Sequence, residues 1–170
     1  MKLAGFTEMK QACSCFPVGV AVVTSRNASG ELIGLTISSF TSISLDPPLI
    51  LICVHENSRV LDSLVGSGCF TVNVLASDQQ HMSKIFSSHA ADRVENIGWY
   101  PGARGAPVLA DALAVIECQL REVVRSADRR ILIGEVVHAV SRDGFPLVRF
   151  RSSYCEIATE TIQAANAHTN

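Results

Sequence analysis

Residues 16–37, FPVGVAVVTSRNASGELIGLTI, contain the strongest structural signal in the sequence. Phe16–Thr24 is rich in valine and too short for a helix, which predicts a buried β-strand. The turn-forming residues Asn27–Gly30 separate it from a second apolar segment, Leu32–Ile37. This stretch therefore predicts an antiparallel β-hairpin.

More strand signals follow the hairpin along the chain. The apolar and β-branched patterns predict strands at Leu49–Val54, Phe70–Leu75, Ala114–Val124 and Arg130–Ser141, and a last short strand that ends near Ile157. Asp46-Pro47-Pro48 is predicted to stay outside the sheet, because proline lacks the N–H that a strand partner needs. His89–Pro107 has the glycines and prolines of a loop.

Two segments have the spacing of short helices. Asn57 or Ser58 is predicted to cap the first, which ends at Gly66. Ser77 or Asp78 is predicted to open the second, whose apolar residues include Phe86. Six or more short strands with two brief helices predict a mostly β fold, a small antiparallel barrel with helices at its mouth.

Length and composition predict one domain with a real core. The chain has 170 residues, of which 48% are hydrophobic and 18% charged, so disorder is excluded. We expect the core at about 12–157, with 1–11 and 158–170 peripheral. High apolar content with few charges also predicts that a partner covers some surface, most simply a second copy of the chain.

Charge and hydropathy exclude two classes of partner. The net charge of −2 favours neither nucleic acid nor an anionic membrane. The longest apolar run, Pro47–Val54, is far short of the ~20 residues that a membrane span requires. The N-terminus, MKLAGFTEMKQ, has no continuous apolar region and is not predicted to be a signal peptide.

The six cysteines predict reduced thiols and a cytoplasmic protein. They are scattered, and four of them lie in apolar runs where cysteine behaves as a small hydrophobe. The sequence has no C-x-x-C, and its five histidines lack ligand spacing, so no metal site is expected. The nucleophile turn, the zinc helix and the glycine-rich phosphate loops are also missing, and no catalytic side chain is predicted.

The most informative polar segment is GLTISSFTSISLDPP, residues 34–48. Six hydroxyl residues occur within Thr36–Ser44, and strand alternation points Thr36 and Ser38 in the same direction. Short donors at close range suit a flat ring with polar edges or a phosphate. The alternative is that these hydroxyls only satisfy turn and loop backbone.

Other polar residues have similar alternatives. Asn73 lies within the apolar strand FTVNVL, on the face of Thr71, and this face is either functional or solvated. Arg93 could reach a phosphate, whereas a lone loop arginine is usually solvated. Asp128-Arg129-Arg130 lies at a turn and has the same alternative.

Taken in order, several segments resemble the flavin reductase family, the small reductase components of two-component flavin-dependent monooxygenases. The resemblance rests on FPVGVAVVTS, GLTISSFTSISLDPPLILICV, GCFTVNVLASDQQHMSKIF, GAPVLADALAVIECQL, and ILIGEVV before Tyr154. It spans about Ala12 to Ile157. It implies an FMN-binding split barrel, usually a homodimer, with the flavin near the subunit interface.

The resemblance also implies site residues. Thr36, Ser38 and Ser39 would lie against the isoalloxazine and ribityl phosphate, and the stretch with His55, Asn57 and Ser58 would close over the flavin. The strand with Asn73 and Val74 would line the site, the segment around Phe86 and Arg93 would form a wall on the phosphate side, and Asp128, Arg129 and Tyr154 complete the cofactor-binding set.

Two positions depart from the family pattern. Val18 stands where many members have a small hydroxyl residue. The usual Gly-Asp-His before ILIGEV is Ala127-Asp128-Arg129 here, and that histidine is associated with the nicotinamide dinucleotide.

The resemblance implies an NAD(P)H:flavin oxidoreductase that reduces FMN or FAD by hydride transfer and supplies reduced flavin to a monooxygenase. The alternatives are a flavoprotein that holds FMN as a prosthetic group for another redox reaction, and a flavin-binding barrel without turnover. The residues do not distinguish FMN from FAD or NADH from NADPH.

Overall fold

The computed structural model describes residues 3–88 and 97–157. Its helices are α1 (Phe6–Ser14), α2 (Leu61–Ser67) and α3 (Gln80–Ser87). Its strands are β1 (Val18–Gly19), β2 (Ala21–Arg26), β3 (Leu32–Ile37), β4 (Thr41–Leu45), β5 (Pro48–His55), β6 (Cys69–Val74), β7 (Trp99–Pro101), β8 (Pro107–Leu109), β9 (Ala114–Ser126), β10 (Arg129–Ser141), β11 (Val148–Phe150) and β12 (Ser153–Cys155).

Seven antiparallel strands form the main sheet, in the order β3-β2-β6-β9-β10-β5-β4. Its edge strands, β3 and β4, are joined by residues 38–40, and the sheet is not closed. Strands β1, β11 and β12 form a second sheet, and β7 pairs with β8. The predicted mostly β fold with a few short helices is confirmed, and the open edge is compatible with a split barrel.

The main core lies on one face of this sheet, under α2. Ile52, Leu64, Phe70, Val72 and Leu132 are completely buried there. Gly134 is required at its position, since a Cβ atom would lie 2.6 Å from Cζ of Phe70. Burying large aliphatic and aromatic side chains contributes about 1.5–3 kcal/mol each, which makes this cluster the main source of stability.

A second apolar cluster packs α3 against the other face of β2. Val22, Leu75, Met82 and Phe86 are buried in it. Strand β2 is thus covered on both faces, which explains why its sequence is a continuous apolar run instead of an alternating one.

The predicted strand Phe16–Thr24 is two strands. Val20 interrupts it, because the Val20 N–H donates to the Leu147 carbonyl and the Val20 carbonyl accepts from the Leu75 N–H. The chain therefore passes from the small sheet to the main sheet at this residue.

The expectation that Asp46-Pro47-Pro48 stays outside the sheet is wrong for Pro48, which pairs with Leu45 as the first residue of β5. The first position of a strand tolerates proline. The intervening Asp46–Pro47 peptide bond is cis.

The helix boundaries also differ from the predictions. Helix α2 ends at Ser67 and is terminated by Gly68, not Gly66, because Gly68 adopts the left-handed conformation (φ 67°) that ends a helix. Helix α3 follows Gln79, whose side-chain oxygen accepts the Ala76 N–H, instead of a Ser77 or Asp78 cap. Strands β7 and β8 occupy part of the predicted loop. No helix in residues 3–88 and 97–157 is long and apolar enough to cross a membrane.

Candidate functional site

Three neighbouring clefts share Ser38, which lies in the segment that connects β3 to β4. We name them the slot, the polar cleft and the cationic cleft. The slot has a volume of about 450 Å³, the polar cleft about 290 Å³ and the cationic cleft about 640 Å³. Ser38 is exposed, so its side chain stands at the junction of the three.

The slot is mainly apolar. Its lining residues are Phe16, Pro17, Val18, Gly19, Val20, Ala21, Ser38, Ser39, Phe40, Thr41, Leu51, Cys53 and Val74. Strand alternation explains the wall that β5 supplies: Ile50, Ile52 and Val54 point into the core, so Leu51 and Cys53 are left to face the slot. Such walls suit a flat, largely apolar ring.

Hydroxyl groups from three elements line the polar cleft. Thr36 comes from β3, Ser83 and Ser87 from one face of α3, one turn apart, and Tyr154 from β12. Thr36 Oγ1 donates to the Ser83 carbonyl at 2.8 Å, and Ser83 Oγ lies 2.8 Å from Tyr154 Oη. These bonds hold the hydroxyls in fixed positions around the cleft.

The cationic cleft lies between α1 and the β11–β12 hairpin. Lys10 of α1 and the arginines at 149 and 151 supply its charges. Arg149 also lines the polar cleft, and its Cα pairs with those of Val18 and Tyr154 on the adjacent strands. This row of three residues joins the small sheet to all three clefts.

The Ser39 side chain binds the backbone of the neighbouring strand β5. Its Oγ accepts the Cys53 N–H at 3.1 Å and donates to the Cys53 carbonyl at 2.9 Å. Strand β4 starts pairing with β5 at Leu51, so the Ser39 hydroxyl extends the ladder beyond the end of β4. It thereby holds the 38–40 segment against one wall of the slot.

We expect Ser39→Ala to lower both the free energy of unfolding and flavin affinity. Two partly buried backbone groups of Cys53 lose their partner, which costs ~1–3 kcal/mol. Urea denaturation measures the first effect, and flavin titration of the folded variant measures the second. Ser44→Ala is the control, since Ser44 lines none of the three clefts and its hydroxyl accepts only the exposed Asp46 N–H. Unchanged stability in Ser39→Ala would contradict this role.

Asn73 lies away from the clefts. It is completely buried, and its amide donates to the Val22 carbonyl and to Thr24 Oγ1, while its Oδ1 accepts the Leu109 N–H at 2.9 Å. Its face of the sheet is covered by the segment around β8, and is not solvated. Asn73 therefore anchors this segment to β6.

The other predicted residues lie in different parts of the chain. Five of them line the clefts: Thr36, Ser38, Ser39, Val74 and Tyr154. Phe86 lies in the α3 core, where its ring packs over Gly34 of β3. Arg93 lies outside the described residues.

His55, Asn57, Ser58, Asp128 and Arg129 come together at one end of the main sheet. Nε2 of His55 lies 3.4 Å from Oδ2 of Asp128, and Nδ1 accepts the Asn57 N–H at 3.1 Å. The Ser58 N–H donates to the His55 carbonyl. The structure thus joins the His55 stretch to the β9–β10 turn, and we name these five residues the rim.

The register places two rim residues, His55 and Arg129, on the same sheet face as a wall of the slot. The Cα of Arg129 pairs with that of His55, and Ile131 pairs with Cys53. Cys53 faces the slot, and residues two apart on a strand share a face about 6.6 Å further along. Arg129 begins β10 instead of lying within the turn, where Ala127 takes the left-handed conformation (φ 50°).

Burial raises the thiol pKa of two cysteines in the described ranges 3–88 and 97–157. Burial, and then the charge of Glu117, raise the pKa of the Cys118 thiol to about 12, so it stays neutral in the core. Burial also raises the pKa of Cys69. Among these residues no group of three His, Cys, Asp or Glu side chains could hold a metal ion.

Several cleft residues were not predicted from the sequence: Ser83, Ser87, Lys10, Arg149, Arg151 and Ser152. The spacing of Ser83 and Ser87 by four residues on a helix is a detectable signal. The other four lie on α1 and the β11–β12 hairpin, and only the tertiary arrangement brings them to Ser38.

Comparisons with known proteins give a consistent result. The family described as "Flavin reductase like domain" matches residues 13–158. A "Flavin reductase (NADH)" from Kitasatospora aureofaciens is 40% identical over 148 residues, which cover 85% of this chain and 78% of that protein. The reductase subunit HsaB of a flavin-dependent monooxygenase from Rhodococcus jostii is 35% identical over 84% of this chain and 73% of its own.

Two further matches concern length and structure. A "Probable flavin reductase" from Rhizobium meliloti is 39% identical over 75% of this chain, which spans only 41% of that longer protein. The crystal structure of nitrilotriacetate monooxygenase component B from Mycobacterium thermoresistibile superposes with a TM-score of 0.87 and is 32% identical. That match covers 91% of this chain and 87% of the other.

Proposed function

The chain belongs to the family of flavin reductase-like domains, and from this premise we propose that it is an NADH-dependent flavin reductase that supplies reduced flavin to a monooxygenase. The observation that carries the proposal is the junction at Ser38 of an apolar slot with a hydroxyl-lined cleft. The relatives named for NADH and for a monooxygenase reductase subunit support the same activity.

The clefts fit the two chemical halves of a flavin. The slot offers apolar walls for the ring, and the polar cleft offers hydroxyls for a ribityl chain and Arg149 for a phosphate. We propose Thr36, Ser38, Val74 and Tyr154 as contacts, with Ser39 holding the wall of the slot. A flavin bound there would accept a hydride from reduced nicotinamide and carry the electrons to the oxygenase.

The protein's own contribution is binding, orientation and exclusion of water. The walls from β1 and β5 keep water from the ring, and the Ser83–Tyr154 contact fixes the hydroxyls on the phosphate side. No side chain is needed as a nucleophile, in agreement with the missing catalytic motifs.

The rim supports a role in binding the nicotinamide dinucleotide. Arg129 has a side chain that is 51% exposed, and it stands beside His55 on the face that continues from the slot. An arginine fork can bind a phosphate or stack on a ring.

Arg129→Ala is expected to raise the apparent KM for NADH by about threefold to tenfold, because one charged contact is lost. Flavin affinity should change little, since Arg129 lines none of the three clefts. Steady-state kinetics and flavin titration measure the two effects. Arg121→Ala, on β9, is the control with the same charge change. An unchanged KM would show that Arg129 is only a solvated residue.

The direct test of the activity follows nicotinamide absorbance after FMN and NADH, or NADPH, are mixed with purified protein. Continuous oxidation that needs added flavin is expected. FMN binding without oxidation of either nucleotide would overturn the reductase proposal in favour of a flavoprotein with another reaction. Absence of FMN binding would overturn the flavin site itself.

We expect a homodimer, because large apolar side chains are exposed on two elements. Phe6 of α1 is 83% exposed and Leu45 of β4 is 88% exposed. Apolar surface of this kind leaves water when a second copy of the chain packs against it. Light scattering should give about twice the 18.2 kDa of one chain. A mass near one chain at all concentrations would contradict the dimer.

The proposed site of action is the cytoplasm. All six cysteines are free in the structure, and unpaired thiols suit a reducing compartment. Reduced nicotinamide is also used there.

A further inference from the structure

We propose that the cationic cleft is a second phosphate subsite, which binds the diphosphate and adenylate of FAD and makes FAD the preferred flavin over FMN. This inference rests on the proposed flavin function. It assigns a ligand to the cationic cleft, which an FMN molecule does not need to fill.

The clefts are continuous in the way that such a ligand requires. Arg149 and Ser152 line both the polar and the cationic cleft, so the two clefts adjoin at these residues. FMN ends in one phosphate, for which Arg149 suffices. The cationic cleft then adds Lys10 and Arg151 in a volume of about 640 Å³, the largest of the three.

The charge pattern favours an anionic ligand. Within the described residues 3–88 and 97–157, no aspartate or glutamate lines any of the three clefts. Among residues 3–88 and 97–157, no salt bridge involves Lys10, Arg149 or Arg151. Three cations that share one cleft repel one another unless a polyanion neutralises them. This concentration stands out in a chain with net charge −2.

The β11–β12 turn has unfavourable residues for its conformation. Arg151 and Ser152 both have positive φ, 47° and 67°. Two-residue hairpin turns of this kind prefer Asn-Gly, because other side chains are strained there. Arg and Ser occupy it nevertheless, and both line the cationic cleft. Strained positions of this kind concentrate at ligand sites.

A backbone bond joins the two sides of the cleft. The Arg151 N–H donates to the carbonyl of Ser14, the last residue of α1, at 3.0 Å. Lys10 lies one turn earlier on the same helix. The backbone segments that carry Lys10 and Arg151 are therefore held together before any ligand arrives, which reduces the ordering cost of binding.

The test compares the affinities of FAD, FMN and riboflavin by calorimetry. Wild-type protein should bind FAD about fivefold to tenfold more tightly than FMN. Arg151→Ala and Lys10→Ala should each remove most of that preference and leave FMN and riboflavin unchanged. Arg149→Ala should weaken FAD and FMN but not riboflavin, which lacks a phosphate. Arg121→Ala should change none of the three.

The outcomes separate this inference from the proposed function. Equal affinity for FAD and FMN in wild-type protein, or equal losses for all three flavins in Arg151→Ala, would overturn the subsite while the flavin site stands. A raised KM for NADH in Arg151→Ala with unchanged FAD affinity would assign the cleft to the nicotinamide dinucleotide instead. If no flavin binds to wild-type protein, the proposed function falls with it.

Discussion

Ser38→Tyr should weaken flavin binding by at least about 100-fold, a free-energy loss of roughly 3 kcal/mol. Ser38 is the residue common to the slot, the polar cleft and the cationic cleft. A phenol ring there fills the junction that the flavin ring and its phosphorylated chain must both occupy. Because Ser38 is exposed, the larger side chain displaces no core residue, and thermal stability should stay near that of the wild type.

Ser42→Tyr is the matched control for this variant. Ser42 is also exposed, but it lies on β4 opposite Ile50 and lines none of the clefts. Flavin titration, with circular dichroism as a check on folding, measures both variants. Wild-type affinity in Ser38→Tyr would show that the flavin binds elsewhere.

Asn73→Ala should lower the free energy of unfolding by about 3 kcal/mol or more. The variant removes hydrogen bonds to three groups and leaves the Leu109 N–H and the Val22 carbonyl without those partners, in a region that water does not reach. Each buried polar group left unpaired costs ~1–3 kcal/mol. Urea denaturation measures the loss, and flavin affinity at temperatures where the variant is folded should stay near wild type.

Thr71→Val is the control in the same strand. Thr71 lies two residues before Asn73, on the same face, and its completely buried Oγ1 has no hydrogen-bond partner. Replacing it with a methyl group of similar size should leave the protein equally stable or more stable. If Asn73→Ala instead lost flavin affinity at unchanged stability, the role that the family resemblance implies for Asn73 would be correct and the anchoring role wrong.

Local patterns were sufficient for most of the strands. The predicted strand Leu32–Ile37 agrees with β3 at both ends, and the two long strands are β9 and β10 with small extensions. Alternation and turn residues act within a few positions of one another, so one sequence contains the information. Pro48 was mispredicted because its missing N–H matters only if another strand needs that group.

The hydroxyl cluster shows where local information ends. The sequence predicted that Thr36, Ser38 and Ser39 belong to a functional segment, and the structure brings all three to the clefts. It did not distinguish Ser38, which is exposed at the junction, from Ser39, whose hydroxyl is occupied by the Cys53 backbone. The difference depends on how far β4 pairs with β5.

The sequence by itself determined the strand pattern, the hydroxyl segment and the family, because each of these depends on residues that are close together in the chain. The tertiary structure alone decided that Asn73 is buried under the β8 segment and that Arg149 and Arg151 lie with Lys10 beside Ser38. These residues are separated by up to about 140 positions in the chain. Whether a polar residue is an anchor or a ligand contact depends on which distant segment covers it, and only the packed sheets decide that.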